Sequence, residues 1–299
     1  MKKYLLYTLL MACTMSGLLT SCSEDELSSQ SVIIADQQKQ NDFDKWLKVN
    51  FVATYNLNFK YRYDDKETDA GYYHIPADMN MAIKLAHLVK YLCLETYDEV
   101  AGINFTRAYF PKMLYLDGEF EYNSNGTYIL GTAEGGKKIF LAGVNYLDQN
   151  INNPAGLNRL YFKTMHHEFT HILNQTKSLP ASYQLITGSG YVADSWSSTT
   201  YAKDYLKRGF ISTYAQKSDT EDFAEMVSIY VTNTADQWNT WMEEAGTDGA
   251  GLLDAKLQIV KDYYQNSWNI DLDQLRNTVM RRQADVAAGK VDLTDLSVE

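Results

Sequence analysis

The chain has 299 residues, 45% of them hydrophobic and 22% charged, with 4 Pro and 17 Gly, which excludes collagen-like, low-complexity and disordered classes. Its length allows one large domain or two small ones, with a core that needs no disulfide support. A formal charge of −11 argues against nucleic acid or an anionic membrane surface as partner, because both demand clustered Lys and Arg.

At the amino terminus, Lys2 and Lys3 precede an apolar stretch from Tyr4 to Leu19, closed by Leu19-Thr20-Ser21-Cys22 and followed by Ser23-Glu24-Asp25-Glu26. The stretch is short for a membrane span, so residues 1–21 are expected to be a secretory signal. Small residues directly before Cys22 resemble the lipobox of bacterial lipoproteins, which implies cleavage there and lipidation of Cys22. The mature chain would then have 278 residues and a charge of −13. It would be held at a membrane by acyl chains without spanning it. The acidic tract resembles the surface-export signal of Bacteroidetes lipoproteins and implies an outer-membrane lipoprotein exposed at the cell surface. Residues 22–41 are polar and aperiodic and are expected to form a flexible tether. Cys93 lies in an apolar helical run and is expected to be a buried thiol.

A folded domain is expected over 42–299. Its first elements are a short helix at Trp46–Phe51, a strand-like run at Tyr55–Tyr63 and a long helix from Ala77 to Val100, with Met81, Leu85, Leu88, Val89 and Leu92 at helical spacing. Residues 110–147 alternate in character and carry turn signals at Asn125-Gly126 and Gly135-Gly136, predicting a strand meander that ends in a strand from Lys138 to Tyr146. Beyond Pro154 the pattern is helical, at about 154–176, 200–208, 219–232, 234–245 and 251–284. Strands followed by helices predict an α+β fold, with a β-containing lobe over about 42–176 and a mainly helical lobe over about 177–299.

Three of the five His lie in His166-His167-Glu168-Phe169-Thr170-His171. Asn153-Pro154 is a favourable helix start, and Phe162, Met165, Phe169, Ile172 and Leu173 form an apolar stripe on the helix it opens. His167 and His171, one turn apart, share a second face on which two imidazoles can bind one ion, and Glu168 lies within reach of a metal-bound water. His166 falls about 100° away, beside Lys163, Thr170 and Asn174, and is expected to face solvent or support the site.

Catalytic zinc needs a third protein ligand and one open position. No His follows His171, so a carboxylate is expected. Glu221 and Glu225 stand one turn apart on a downstream helix, a like-charge pairing that costs stability unless a cation lies opposite. Glu221 is the expected ligand, with Glu225, His74 and Asp194 as alternatives. Ser218-x-x-Glu221 also reads as a capping box, which would explain Glu221 without a metal.

His167-Glu168-x-x-His171 with Glu221-x-x-x-Glu225 resembles the gluzincin metallopeptidases, which take zinc from His, His and Glu. The segment from Tyr214 to Glu225 resembles the anthrax lethal factor group, where a Tyr precedes the Glu ligand by seven residues. The whole chain is similar to zinc-binding metallopeptidase lipoproteins of Bacteroidetes found with nutrient-import systems. The resemblance implies a zincin-like fold, one Zn2+, a peptide or protein substrate and an outer-membrane import complex as partner. It also implies that Tyr214 donates to the oxyanion. Glu225 departs from the Asp of thermolysin-like gluzincins.

The mechanism expected from these residues has one zinc on His167, His171 and Glu221, with Glu168 taking the proton of the attacking water and returning it to the leaving amine. Glu225 would accept a hydrogen bond from the far nitrogen of a ligating His. The strand around Ile139 to Val144 would offer an edge to an extended peptide, and the loop Thr187–Tyr191 would line the cleft. Two other readings compete: a non-catalytic accessory of an import complex, and zinc hydrolysis of a non-peptide bond. An intact Glu168 argues against the first, since a pure binder has no use for a carboxylate there.

Overall fold

The computed structural model describes residues 40–122, 128–129, 131–134 and 137–298. The predicted signal, Cys22, nearly all of the tether and the turns at Asn125-Gly126 and Gly135-Gly136 lie outside the described residues. Helix α1 (Asp42–Leu47) opens with a reciprocal cap: Asn41 Oδ1 accepts from Asp44 N, and Asp44 accepts from Asn41 N. A π-helical turn (Lys48–Ala53) extends it and leads to strand β1 (Asn58–Lys60).

The long apolar helix forms as the spacing predicts. Asp78 caps α2 (Met79–Val89), which continues through a π-helical turn (Lys90–Leu94) into α3 (Glu95–Ala101) and stops at Gly102, whose φ of 85° suits glycine. Cys93 is fully buried on this helix, and burial pushes its thiol up. Helix α4 (Ile103–Tyr109) follows.

The sheet differs from the predicted meander. Strands β2 (Met113–Leu116), β5 (Gly131–Glu134) and β6 (Lys138–Leu141) join β1 in the order β1-β2-β6-β5, while β3 (Glu121–Tyr122) and β4 (Tyr128–Ile129) form a separate antiparallel pair. Within the four-stranded sheet the pairings β1–β2 and β2–β6 are parallel, and β5–β6 is antiparallel. Alternation along a strand reports which residues face the core and says nothing of neighbour direction. The chain reaches β2 from β1 through α2–α4, and reaches β6 from β2 through β3, β4 and β5. The expectation that the strand around Ile139 offers a free edge is therefore corrected: β6 lies between β2 and β5, and the sheet's edges are β1 and β5.

Asn153 and Pro154 start the next helix as expected, with Gly156 N donating to Asn153 Oδ1. It runs as α5 (Pro154–Leu157), a π-helical turn (Asn158–Phe162) and α6 (Lys163–Thr176). Phe169 anchors α6 against Tyr97 and Phe110, at ring centroid distances of 4.9 and 5.1 Å. Fully burying such a side chain contributes roughly 1.5–3 kcal/mol.

After α7 (Ala181–Thr187), the helix predicted at 200–208 is replaced by turns and a single 3₁₀ turn at Leu206–Arg208. Side chains hold this segment: Arg208 Nη2 donates to Tyr201 O and Gln216 Oε1, and Gln216 Nε2 donates to Tyr201 O. Helix α8 (Asp219–Thr232) packs along α6, and α9 (Ala235–Trp268) kinks at Gly246. The helix predicted to run to 284 breaks at Asn269, in the left-handed region, and Asp271 caps α10 (Leu272–Ala287). One apolar cluster from Phe43 to Val286 joins these elements. The α+β class stands, and no described helix is long and apolar enough to cross a membrane.

Candidate metal centre

Helices α6 and α8 lie side by side, and their facing turns bring His167, His171 and Glu221 together. His167 Nε2 lies 3.1 Å from Glu221 Oε2, His171 Nε2 lies 3.2 Å from the same oxygen, and the two Nε2 atoms are 3.1 Å apart. Donors about 2.0–2.1 Å from a tetrahedral ion stand about 3.3 Å from one another, so this triangle has the size of three zinc ligands. Among the described residues, this is the one group of His, Cys and acidic side chains whose donor atoms converge in this way.

The protonation pattern supports the same fit. His167 Nδ1 lies 2.9 Å from Glu225 Oε1, within ion-pair range, and Nε2 faces Glu221 Oε2 on the other side. A ring held between two carboxylates favours a positive charge on it or beside it. Burial alone would lower the pKa of His167, but the Glu221 and Glu225 carboxylates outweigh it and raise it to about 9. The site thus favours positive charge at this point, which a metal ion supplies as well as a proton does. Burial opposes ionisation of Glu221, yet His167 and His171 hold its carboxyl far below the usual carboxylate range.

Glu225 is buried and braces His167 from behind. Lys163 Nζ lies 2.8 Å from both of its oxygens and Ser212 Oγ donates to Oε2 at 2.6 Å. Burial raises its pKa, but Lys163 and His167 outweigh that and bring it to about 2. Glu221 is braced too: Tyr214 Oη donates to Oε1 at 2.9 Å, and Lys217 Nζ lies 3.2 Å from both Oε1 and the Tyr214 hydroxyl. Burial, opposed by Lys217 and supported by Glu221, pushes the Tyr214 phenol up to about 12. Trp196 packs edge-on against the Tyr214 ring at 5.0 Å. In this arrangement Tyr214 grips the carboxylate of Glu221.

Glu168 sits beside the triangle in a cleft of about 190 Å3, lined also by Gly131, Lys163, Thr164, His167, Tyr214 and Glu225. Burial raises its pKa, with His167 and His171 pulling the other way, so its carboxylate is more basic than a solvated one, as a general base requires. Gly131 brings the edge strand β5 to the cleft. A Cβ there would lie 2.7 Å from Phe140 O and 3.0 Å from Thr164 Cγ2, so only glycine allows this approach of strand to helix.

Half of the predicted capping box forms. Glu221 N donates to Ser218 Oγ, while the Glu221 side chain turns to the histidines instead of back to the cap. His166 corrects its expectation. It is fully buried, its Nδ1 lies 2.8 Å from Tyr97 Oη, and burial pushes its pKa down to about 4. The reason is that α6 is covered on that side by α3, which the sequence pattern of α6 alone does not reveal. His74 instead pairs with Asp117 (Nδ1 to Oδ2, 2.5 Å), and Asp194 lies in a 3₁₀ turn outside the triangle. None of residues 187–191 lines the cleft, though Tyr191 Oη donates to Asp222 Oδ2, one residue from Glu221. Lys163, Ser212 and Lys217 also hold the site's carboxylates, and no sequence motif marks them. Lys163 could have been found, since it precedes His167 by one helical turn.

A profile of the family described as "Putative zinc-binding metallo-peptidase" matches residues 36–273. A crystal structure titled as a putative zinc-binding metallo-peptidase from Bacteroides caccae is similar at 38% identity and a TM-score of 0.75, covering 89% of this chain and 100% of that one. A comparison with curated proteins found no match.

Proposed function

The chain belongs to this zinc-binding metallo-peptidase family, and we propose that it is a gluzincin-type hydrolase that cleaves peptide bonds with one zinc on His167, His171 and Glu221. The observation that carries this reading is the triangle of donors at 3.1–3.2 Å with Glu168 beside it. Bound zinc would supply Lewis acidity, lowering the pKa of a water in the open position to about 7. Glu168 takes the proton of the attacking water and returns it to the departing amine. An extended peptide pairs with the edge of β5, which places its carbonyl over the cleft. Tyr214 can exchange its bond to Glu221 for one to the oxygen that gains charge, because Lys217 still holds Glu221 Oε1. Glu225 fixes the orientation of His167.

For the location of the enzyme we propose the reading supported by the amino-terminal sequence: cleavage before Cys22, lipidation of that Cys and display on the outer membrane beside a nutrient-import complex. Zinc analysis of the purified protein should give one ion per chain, and a chelator should stop hydrolysis of mixed peptides. Glu168→Gln should keep the zinc and lose hydrolysis by a factor of about 10²–10⁴. Activity retained in that variant would remove Glu168 from its role. Full zinc occupancy with no cleavage of any peptide by the native chain would favour the accessory reading.

A further inference from the structure

The two oxygens of Glu221 are partnered differently. Oε2 lies 3.1 Å from His167 Nε2 and 3.2 Å from His171 Nε2, while Oε1 accepts from Tyr214 Oη at 2.9 Å and from Lys217 Nζ at 3.2 Å. Lys217 Nζ also donates to Tyr214 Oη at 3.2 Å, so ammonium, phenol and carboxylate oxygen close a triangle of their own. The same ammonium stands 5.1 Å from the centre of the Tyr214 ring. Local backbone fixes Lys217 in this place. Its N donates to Tyr214 O at the end of the 3₁₀ turn Tyr214–Gln216, Gln216 O accepts from Val192 N, and the next residue, Ser218, caps α8.

Ligation explains why one oxygen needs two partners. A carboxylate can bind a metal ion through one oxygen or through both, and a second oxygen on zinc would fill the position that a catalytic site leaves open. Whatever holds Oε1 therefore guards that position. Tyr214 cannot guard it alone if it is to turn to the oxygen that gains charge, because its departure would leave Oε1 free. Lys217 has no such second duty. Its charge-assisted bond to Oε1 is roughly twice as strong as a neutral one, its stem starts from a fixed backbone, and its side chain, 35% exposed, keeps part of its hydration.

We propose that Lys217 is a positioning residue that restricts Glu221 to one ligating oxygen, holding Oε1 off the ion even while Tyr214 is turned elsewhere. This rests on the peptidase reading for the movement of Tyr214, and the test separates the two because it needs no peptide. X-ray absorption of the zinc-loaded chain reads the distance from zinc to the carbon of the ligating carboxylate, which shortens when both oxygens bind. The native and Tyr214→Phe chains should show the long distance. Tyr214→Phe combined with Lys217→Met should show the short one, and Tyr214→Phe combined with Lys217→Arg the long one again. Zinc affinity, from competition against a chromophoric chelator, should stay within about tenfold across the set, since the second oxygen offsets the lost brace. A short distance already in the native or Tyr214→Phe chain, a long one with Lys217→Met, no recovery with Lys217→Arg, or a greater fall in zinc affinity each overturns the assignment. A native chain that binds no zinc overturns it together with the metal centre. If the distances follow the expected pattern but the native zinc-loaded chain cleaves none of a mixed peptide set, Lys217 keeps its role and the peptidase reading fails.

Discussion

Replacing Glu225 by Gln tests whether the group behind His167 governs metal binding. The substitution keeps shape and removes charge at a carboxylate that is 1% exposed, lies 2.9 Å from His167 Nδ1 and pairs with Lys163 at 2.8 Å. Across the imidazole, an ion at Nε2 would stand about 6 Å from the carboxylate, where two unit charges interact by roughly 3 kcal/mol at an effective dielectric of about 20. The ammonium of Lys163, close against the same carboxylate, cancels part of that attraction. A net loss of about 1–3 kcal/mol remains, or roughly 10- to 100-fold in zinc affinity. Competition against a chromophoric chelator measures it, with circular dichroism confirming the fold. Zinc affinity within threefold of the native chain would refute the argument. Loss as severe as that of Glu221→Ala would make Glu225 a ligand.

Tyr214→Phe should lower turnover about 10²–10³-fold, because it removes the donor to the developing oxyanion, while Lys217 preserves zinc affinity to within about tenfold; unchanged turnover would leave the phenol with no role beyond packing. The fully buried pair of Lys256 and Asp222, 2.6 Å apart, ties α9 to the helix that carries Glu221. Lys256→Met should cost about 3–5 kcal/mol in urea unfolding by stranding Asp222, and adding Asp222→Asn should recover most of it. Burial holds His166 at about 4 in the folded chain against about 6.5 unfolded. The unfolded chain therefore takes up the proton first, so stability is fully present above about pH 6.5 and declines by up to about 3 kcal/mol as pH falls through 6.5 to 4. His166→Gln should flatten that slope in chelator-treated protein, and an unaltered slope would contradict the burial argument.

The readings that succeeded from sequence rest on interactions within one turn of helix. His167 and His171 share a face, with Glu168 beside it, because of helical spacing, and Asn153-Pro154 starts their helix because the cap and the fixed φ are local. The long apolar helix around Cys93 and the break at Gly246 follow from the same short-range rules. The errors share a cause. Strand alternation does not encode direction, so it predicts a meander where the sheet is largely parallel and an edge where β6 is central. The expectation that His166 faces solvent or supports the site misses its burial because α6 alone does not reveal that α3 covers it. The segment at 200–208 is held by Arg208 and Gln216 across a loop, where periodicity has nothing to report.

By itself, the sequence determined the helix that carries His167, Glu168 and His171, and narrowed the expected third donor to a few candidates led by two carboxylates one turn apart. Only the tertiary structure shows which of those two faces the imidazoles. Packing of α8 against α6 turns the Glu221 oxygen to within 3.2 Å of both imidazoles and places Glu225 behind His167 against Lys163. A one-turn shift along the helix axis is about 5.4 Å, more than a coordination bond can span, so the register between two helices distant in sequence sets which carboxylate faces the imidazoles.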